Sequence, residues 1–483
     1  MIDRLLLLGA TGDLAGRFLL PALAELQDVG ELPDRFEIIA VAHEKLDIGG
    51  FRAAAEKRLA THAPDVRAGV RRALLDRMRF HSLDLAAPQA GRAICAALAR
   101  SDGAPDDRPV AAYLALPPGL FAPAVTALGD AGLPRGSRVV LEKPFAESLD
   151  GAVALNRLLA RVVGDERSVF RVDHALGMAT VYNLLGLRLA NRIIDPIWCS
   201  DHIEQVDILW EETLALEGRA GYYDKSGALK DVLQNHMMQI LCLVAMEPPA
   251  TAEGDELRDR KVEVLRNVCP PTREQMATRT NRARYTAGTL AGTGGASRRE
   301  VPDYAAEPGV DPSRETETYA EVVLTIDCDR WRGTRFVMRA GKALHRRWKG
   351  VIVRFRPVPK LPFKGQLRFP ERNELRIGLD GPENLSVHLT GSAPGSPPEL
   401  TPLVMNAQLP AAELRAYGNV LREVLSGESS LSISGDEAEE AWRIVTPILR
   451  AWREGVVPLR EYAAGSAGPR SLTEVTTLLE TSV

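Results

Sequence analysis

The apolar positions of this chain change rhythm once. Up to about residue 174 they come as short continuous runs: Leu5–Leu8, Phe36–Ala42, Val110–Leu116, Val139–Leu141 and Val169–Val172. Helical stretches lie between them, roughly at 48–62, 65–78 and 88–100. Runs that are apolar on both faces read as buried parallel strands. Their alternation with helices predicts a doubly wound, Rossmann-like α/β domain over residues 1–174. Beyond that point Ile203–Trp210 alternates with period two, which suits a strand covered on one face. Further strand-like runs fall at 319–327, 335–339, 351–357, 374–378 and 384–390, and helices at 176–191, 410–425 and 435–453. Residues 175–483 are therefore expected to form an α+β domain with a large antiparallel sheet. Residues 275–317, rich in Gly, Thr, Arg, Ser and Pro, read as a long surface excursion.

One helix stands out. The stretch Asp231–Pro249 is nearly all apolar from Met237 on and is stopped by Pro248-Pro249, while its first turns carry Asp231, Gln234, Asn235 and His236. Buried polar groups need partners, so this polar head belongs either to a capped core helix with a satisfied histidine or to a ligand site that moves a proton. Asp231 and His236 are five positions apart, about 140° around an α-helix, so they would converge only on something lying across the helix end. At the N-terminus the first strand runs into Gly9-Ala10-Thr11-Gly12-Asp13-Leu14-Ala15. Here Gly9 permits a tight turn, Gly12 lets the backbone approach a pyrophosphate, and Ala15 allows close helix–strand packing. An ordinary strand–helix turn is the alternative. His43 and Glu44 follow the second strand, where such folds read the adenosine ribose. Lys143, Asp173 and His174 close later strands on the expected ligand edge.

Composition narrows the classes. A chain of 483 residues needs more than one core. With 45% hydrophobic residues, 26% charged residues and a net charge of -4, it has no general basic field for nucleic acid or an anionic membrane. No apolar run approaches a membrane span, and the N-terminus lacks the pattern of a signal peptide. The five cysteines form no zinc spacing, so no metal is expected, and their scatter suits a reducing, cytoplasmic setting.

Several stretches, in order, carry a resemblance. They are Gly9–Ala15, Tyr113-Leu114-Ala115-Leu116-Pro117-Pro118, Glu142-Lys143-Pro144-Phe145, Arg171-Val172-Asp173-His174, Glu217–Asp224, Asp231–Pro248 and Arg339-Ala340-Gly341-Lys342-Ala343-Leu344. Together they resemble the glucose-6-phosphate dehydrogenase family over nearly the whole chain. The resemblance implies oxidation of C1 of a hexose 6-phosphate to a lactone, with hydride passing to NAD or NADP. It makes His236 the base and Asp173 the carboxylate that orients it. Lys143, His174, Glu212, Asp231, Lys342 and Arg347 become substrate contacts. Gly9, Ala10, Thr11, Gly12, Asp13, Leu14, Ala15, His43, Glu44, Tyr113 and Lys143 become cofactor contacts. It also implies a homodimer or homotetramer assembled through the sheet of the second domain.

The departures are local. The family's phosphate loop reads Asp-His-Tyr-Leu-Gly-Lys, and here it reads Asp173-His174-Ala175-Leu176-Gly177-Met178. A lysine common in the family's first helix is Phe18. Each charge-assisted contact contributes about 1.5–3 kcal/mol, so losing two weakens phosphate binding substantially. Two further readings therefore stand beside the first: a dehydrogenase for a hexose with a different C6 group, and a non-catalytic regulatory relative. Many relatives carry an arginine at the position of His43. With Glu44 beside it, the cofactor expectation leans to NAD.

Overall fold

A computed structural model describes residues 1–100, 102–251, 254–291, 298–360, 372–379, 384–393, 399–408 and 413–473. The chain forms two compact units. The first comprises residues 1–179, 249–262 and 412–440, and the second residues 180–248, 263–411 and 441–483.

In the first unit six parallel strands form the sheet, β1 (Arg4–Leu8), β2 (Glu37–Ala42), β3 (Met78–Ser82), β4 (Ala111–Leu114), β5 (Arg138–Glu142) and β6 (Val169–Val172). Five of them follow the apolar runs, while the half-exposed edge strand β3 begins at Met78, in a stretch expected to be helical. Their spatial order is β6-β5-β4-β1-β2-β3, and the short strand Ser432–Ile433 pairs antiparallel with β6 at the edge. The order reverses between β1 and β4, the switch point where ligands of doubly wound sheets bind. Helices Leu20–Asp28, Ile48–His62, Ala90–Leu98, Phe121–Ala131 and Leu149–Val163 connect the strands. Their ends follow local chemistry. The Asp47 side chain accepts from Gly50 N at 2.7 Å, and Gly164 ends its helix at φ +79°. Leu6, Leu8, Ile39, Val41, Ala112, Leu114, Val139 and Leu141 line a core shared by sheet and helices.

The second unit is built on a ten-stranded sheet. Its continuous order is 399–408, 384–393, 374–378, 348–355, 203–211, 335–341, 319–326, 280–286 and 459–463, with 268–269 pairing on 319–326. Most pairings are antiparallel, as expected. Two are parallel, 335–341 with 203–211 and 459–463 with 280–286, so the sheet is mixed.

Strand Thr280–Thr286 lies inside the stretch expected to be a surface excursion, and it is mostly buried. Its polar composition hides it, because the polar side chains are satisfied in place. Arg282 Nε donates to Val457 O at 3.0 Å, and Thr280 Oγ1 to Met276 O at 2.8 Å. Among the described residues no helix is long and apolar enough to cross a membrane. None of the five cysteines is in a disulfide.

Candidate active site

The glycine turn after β1 is fixed by close approach. Gly9 has φ +86°, and a Cβ there would lie 2.3 Å from the carbonyl oxygen of Ala115, so a side chain cannot be accommodated. Gly9 N and Ala10 N donate to Val41 O at 2.8 and 3.0 Å, which ties the turn to β2. Arg58 Nη1 donates to Gly12 O at 2.6 Å. The following helix opens at Asp13 and is π-wound over Ala15–Leu19, and Ala15 is fully buried. This geometry presents a helix N-terminus at the switch point, as a pyrophosphate site requires.

Just past β2, Glu44 turns back onto this loop. Thr11 Oγ1 donates to Glu44 Oε2 at 2.7 Å, and His43 Nδ1 lies 3.3 Å from the same oxygen. The Thr11 hydroxyl is the main cause that holds the Glu44 carboxyl below its ordinary range, so Glu44 is charged at neutral pH.

The ends of β4, β5 and β6 carry a buried polar cluster. Tyr113 is fully buried and its hydroxyl donates to the Glu142 carboxyl oxygen Oε1. Burial pushes Glu142 up to about 8, against the opposing pull of the Tyr113 hydroxyl and of a second hydroxyl, Tyr417. Lys143 follows, with a cis peptide to Pro144. Asp173 is fully buried and caps the short helix His174–Gly177, accepting from Ala175 N at 3.0 Å.

That loop is clamped by helix Ala416–Ser426 of the same unit. Asn419 Nδ2 donates to Gly177 O at 3.0 Å, and a Cβ on Gly177 would lie 2.3 Å from Ala416 O. The Tyr417 ring stacks on His174, centroids 5.5 Å apart, and packs on Phe18 at 5.2 Å. Ala175 is sealed beneath, while Met178 is half-buried. A cavity of roughly 360 Å³ is lined by Arg17, Phe18, His62, His174, Arg415 and Tyr417.

In the second unit the polar-headed helix is wound unevenly. Leu229–Met237 is π-wound and Met238–Ala245 is α-helical. In a π-turn the hydrogen-bonded residues are five apart and lie roughly above one another. Asp231 and His236 are such a pair, so the 140° separation expected of an α-helix does not apply.

His236 is buried and its ring stacks on Trp210, centroids 5.1 Å apart. Lys349 Nζ sits 4.4 Å from the Trp210 ring centre. Glu212 lies between two ammoniums, with Lys342 Nζ at 2.7 Å and Lys349 Nζ at 3.2 Å. Burial alone would raise the Glu212 carboxyl, but the two lysines overcome it and bring it down to about 2. Lys342 is positioned by its backbone: its N–H donates to Thr318 O at 3.0 Å, and the next residue, Ala343, is left-handed at φ +51°. Lys342 Nζ also lies 5.3 Å from the centre of the buried Tyr223 ring, whose hydroxyl is pushed up by burial and then by the charge of Asp231. Arg347 is exposed on the same connection, and its neighbour Arg346 is engaged by Glu211 at 2.6 Å.

The second unit thus gathers His236, Asp231, Glu212 and Lys342, and adds Trp210 and Lys349, which sequence reasoning did not single out. Trp210 had a usable signal, since it directly precedes Glu211-Glu212 at the end of an alternating strand. The first unit gathers Lys143, Asp173 and His174 and adds Glu142 and Tyr417. Tyr417 had no local signal at all.

Comparison with known proteins identifies the family. Residues 6–183 match the model of the glucose-6-phosphate dehydrogenase NAD binding domain, and residues 185–480 that of its C-terminal domain. The chain belongs to the glucose-6-phosphate dehydrogenase family. It is 38% identical to the glucose-6-phosphate 1-dehydrogenase of Mycolicibacterium smegmatis, over 98% of this chain and 94% of that one. To the enzyme of Gluconobacter oxydans it is 37% identical, over 97% and 94%. The crystal structure of glucose-6-phosphate 1-dehydrogenase from Mycobacterium avium superposes with a TM-score of 0.83 at 32% identity, covering 97% of this chain and 95% of that one. A glucose-6-phosphate dehydrogenase in complex with its substrate glucose 6-phosphate gives a TM-score of 0.84 at 27% identity, covering 98% and 96%. Family membership makes the chain an oxidoreductase with a nicotinamide-dinucleotide-binding unit.

Proposed function

We propose that this protein oxidises C1 of glucose 6-phosphate, or of a closely related hexose, to the lactone and passes the hydride to NAD or NADP. The observation that carries this reading is His236, buried at the polar head of an apolar helix against Trp210. It shares its unit with a carboxylate held ionised between two lysines.

His236 takes the proton of the C1 hydroxyl as hydride leaves that carbon, and Asp173 is its carboxylate partner in the family pattern. Glu212 and Asp231 bind sugar hydroxyls. Lys143, His174, Lys342 and Arg347 supply donors and positive charge. Gly9, Ala10, Thr11, Gly12, Asp13 and Leu14 would cradle the pyrophosphate with Ala15 packed behind them, and Lys143 would flank the cofactor, with the buried Tyr113 acting from behind through Glu142.

NAD is the preferred cofactor in this proposal, because the ionised Glu44 lies just past β2 against the glycine turn, where such folds read the adenosine ribose, and because the family pattern has an arginine at the position of His43. Residues 1–174 serve dinucleotide binding, and 175–483 serve substrate binding and assembly as a homodimer or homotetramer, in the cytoplasm.

The test is an assay of the purified protein with hexoses and hexose phosphates and with both cofactors, following reduced nicotinamide. Oxidation of glucose 6-phosphate is expected, and failure to oxidise any of these sugars would end the reading. A second reading, a substrate with an uncharged C6 group, is favoured by Met178 and the sealed Ala175, which leave the loop short of donors. The same assay would then give a higher kcat/KM for glucose than for its phosphate.

A further inference from the structure

The polar head of the catalytic helix is held by a residue that no sequence pattern pointed to. Glu317 is buried just ahead of strand Tyr319–Ile326. Its side-chain Oε1 accepts from Leu229 N at 3.0 Å, and its carbonyl oxygen accepts from Ala228 N at 3.2 Å. These are N–H groups at the start of the π-wound segment, which has no intrahelical acceptor for them. A carboxylate at a helix start also meets the positive end of the helix dipole.

The neighbouring chain is shaped around this carboxylate. Gly227 is left-handed at φ +71°, and a Cβ there would lie 2.4 Å from Glu317 Oε1. The next residue, Thr318, fixes the other arm of the site. Its carbonyl oxygen accepts from Lys342 N at 3.0 Å, and its hydroxyl lies 2.9 Å from the Tyr462 hydroxyl, which donates to Lys342 O at 2.6 Å.

We propose that Glu317 is a positioning residue for the reaction: its carboxylate caps the segment Leu229–Met237 and so sets the orientation of Asp231 and His236. The charged and titratable groups facing it are Lys230 on the capped segment, Arg282 on strand Thr280–Thr286, Tyr223, and Tyr304. Burial pushes the Glu317 carboxyl up to about 7, against the Leu229 N–H and the charges of Lys230 and Arg282. The cap therefore weakens within the physiological range. A charge-assisted bond is replaced by a neutral one as the pH falls, and the catalytic segment loosens.

The inference rests on the proposed dehydrogenase activity, so its test has an arm that needs no turnover. Hydrogen exchange of the ligand-free protein should show the amides of 228–237 exchanging faster in Glu317→Ala than in the wild type, with the strands of the same sheet unchanged. Equal exchange in that segment overturns the proposal whether or not the protein is active.

In the kinetic arm, Glu317→Gln mimics the protonated form. Its kcat should be about tenfold below wild type at a pH one unit above 7 and converge with wild type one unit below. A constant ratio across that range, or wild-type kcat throughout, would sink the positioning role. A purely structural defect would lower activity evenly. An inactive wild type would count against the proposed activity alone, because the exchange arm would still decide whether Glu317 holds the segment.

Discussion

The imidazole of His236 lies against the indole of Trp210, with 5.1 Å between ring centres and 15° between planes. The contact fixes the plane of a buried ring and leaves its nitrogens at the edge, an orientation that suits proton transfer. His236→Asn keeps a polar side chain of similar reach but cannot take up a proton at neutral pH. Turnover should fall by about 100-fold or more with KM for the sugar changed little, because the lost interaction is made in the transition state. Steady-state kinetics checks this, and near-normal turnover would remove His236 from the role of base.

Glu44 lies 2.7 Å from the Thr11 hydroxyl and is ionised, so it presents a full negative charge beside the glycine turn. A 2′-phosphate placed there meets like charge, whereas a ribose hydroxyl can donate to it. Glu44→Gln should therefore shift the ratio of kcat/KM for NADP over NAD upward by about tenfold, a change of roughly 1.4 kcal/mol. Measurement of both cofactors on wild type and variant decides. An unchanged ratio would mean that a nearby cation sets the preference, either Lys45, which follows Glu44 in the chain, or Arg58, which donates to Gly12 O.

Glu142 carries a proton that matters to stability. Burial raises its carboxyl from the ordinary 4.5 to about 8 in the folded chain. Between those values the folded state keeps a proton that the unfolded chain has lost. Unfolding then releases a proton, and stability falls as the pH rises through that window and levels off above it. Glu142→Gln has no proton to lose. Relative to wild type it should gain stability between about pH 5 and pH 8, by no more than about 1.4 kcal/mol per pH unit. Urea unfolding of both proteins at the two ends of the window gives the difference. If the offset between them stays constant, Glu142 is ionised in the folded protein after all.

The parts of this site that could be read in the sequence share one property: their signal is local. The glycine turn is visible because an apolar run ends in Gly9. The proposed base is visible because His236 heads an otherwise apolar helix, and the expected ligand edge because Lys143 and Asp173 close buried strands. The unreadable parts depend on partners far away in the chain. Gly177 looks like a loop glycine, yet its need for glycine comes from the Ala416 carbonyl. Tyr417 belongs to a helix whose pattern says only that one face is buried, not that it returns to the first unit to stack on His174. Strand Thr280–Thr286 is hidden because buried arginine and threonine look solvated until their acceptors are known. The π-winding of Leu229–Met237 changes no residue type, so a sequence read with α-helical spacing misplaces Asp231 against His236.

The most specific expectation concerns the corner beside His174. The loop offers Ala175 and Met178 at the positions where the expected family pattern has a tyrosine and a lysine, and neither Ala175 nor Met178 has a side-chain hydrogen-bond donor. The structure separates the two positions. Ala175 is sealed under helix Ala416–Ser426, and the face of His174 is already covered by Tyr417. A tyrosine forced into position 175 would overpack this corner at about 1–3 kcal/mol, so restoring both groups at once confounds binding with strain. Met178 is half-buried, and lysine has a side chain of similar length. Met178→Lys alone is therefore the informative change. It adds one charge-assisted donor, and KM for glucose 6-phosphate should drop about tenfold, or roughly 1.4 kcal/mol, while KM for glucose stays the same. The comparison with glucose isolates the C6 group from any general effect on the site. If KM for both sugars moves together, the lysine has reshaped the loop and not met a phosphate. If neither moves and the wild type already binds glucose 6-phosphate at micromolar concentration, the phosphate is held by other cations, with Arg17 and Arg415 in the same cavity the first to test.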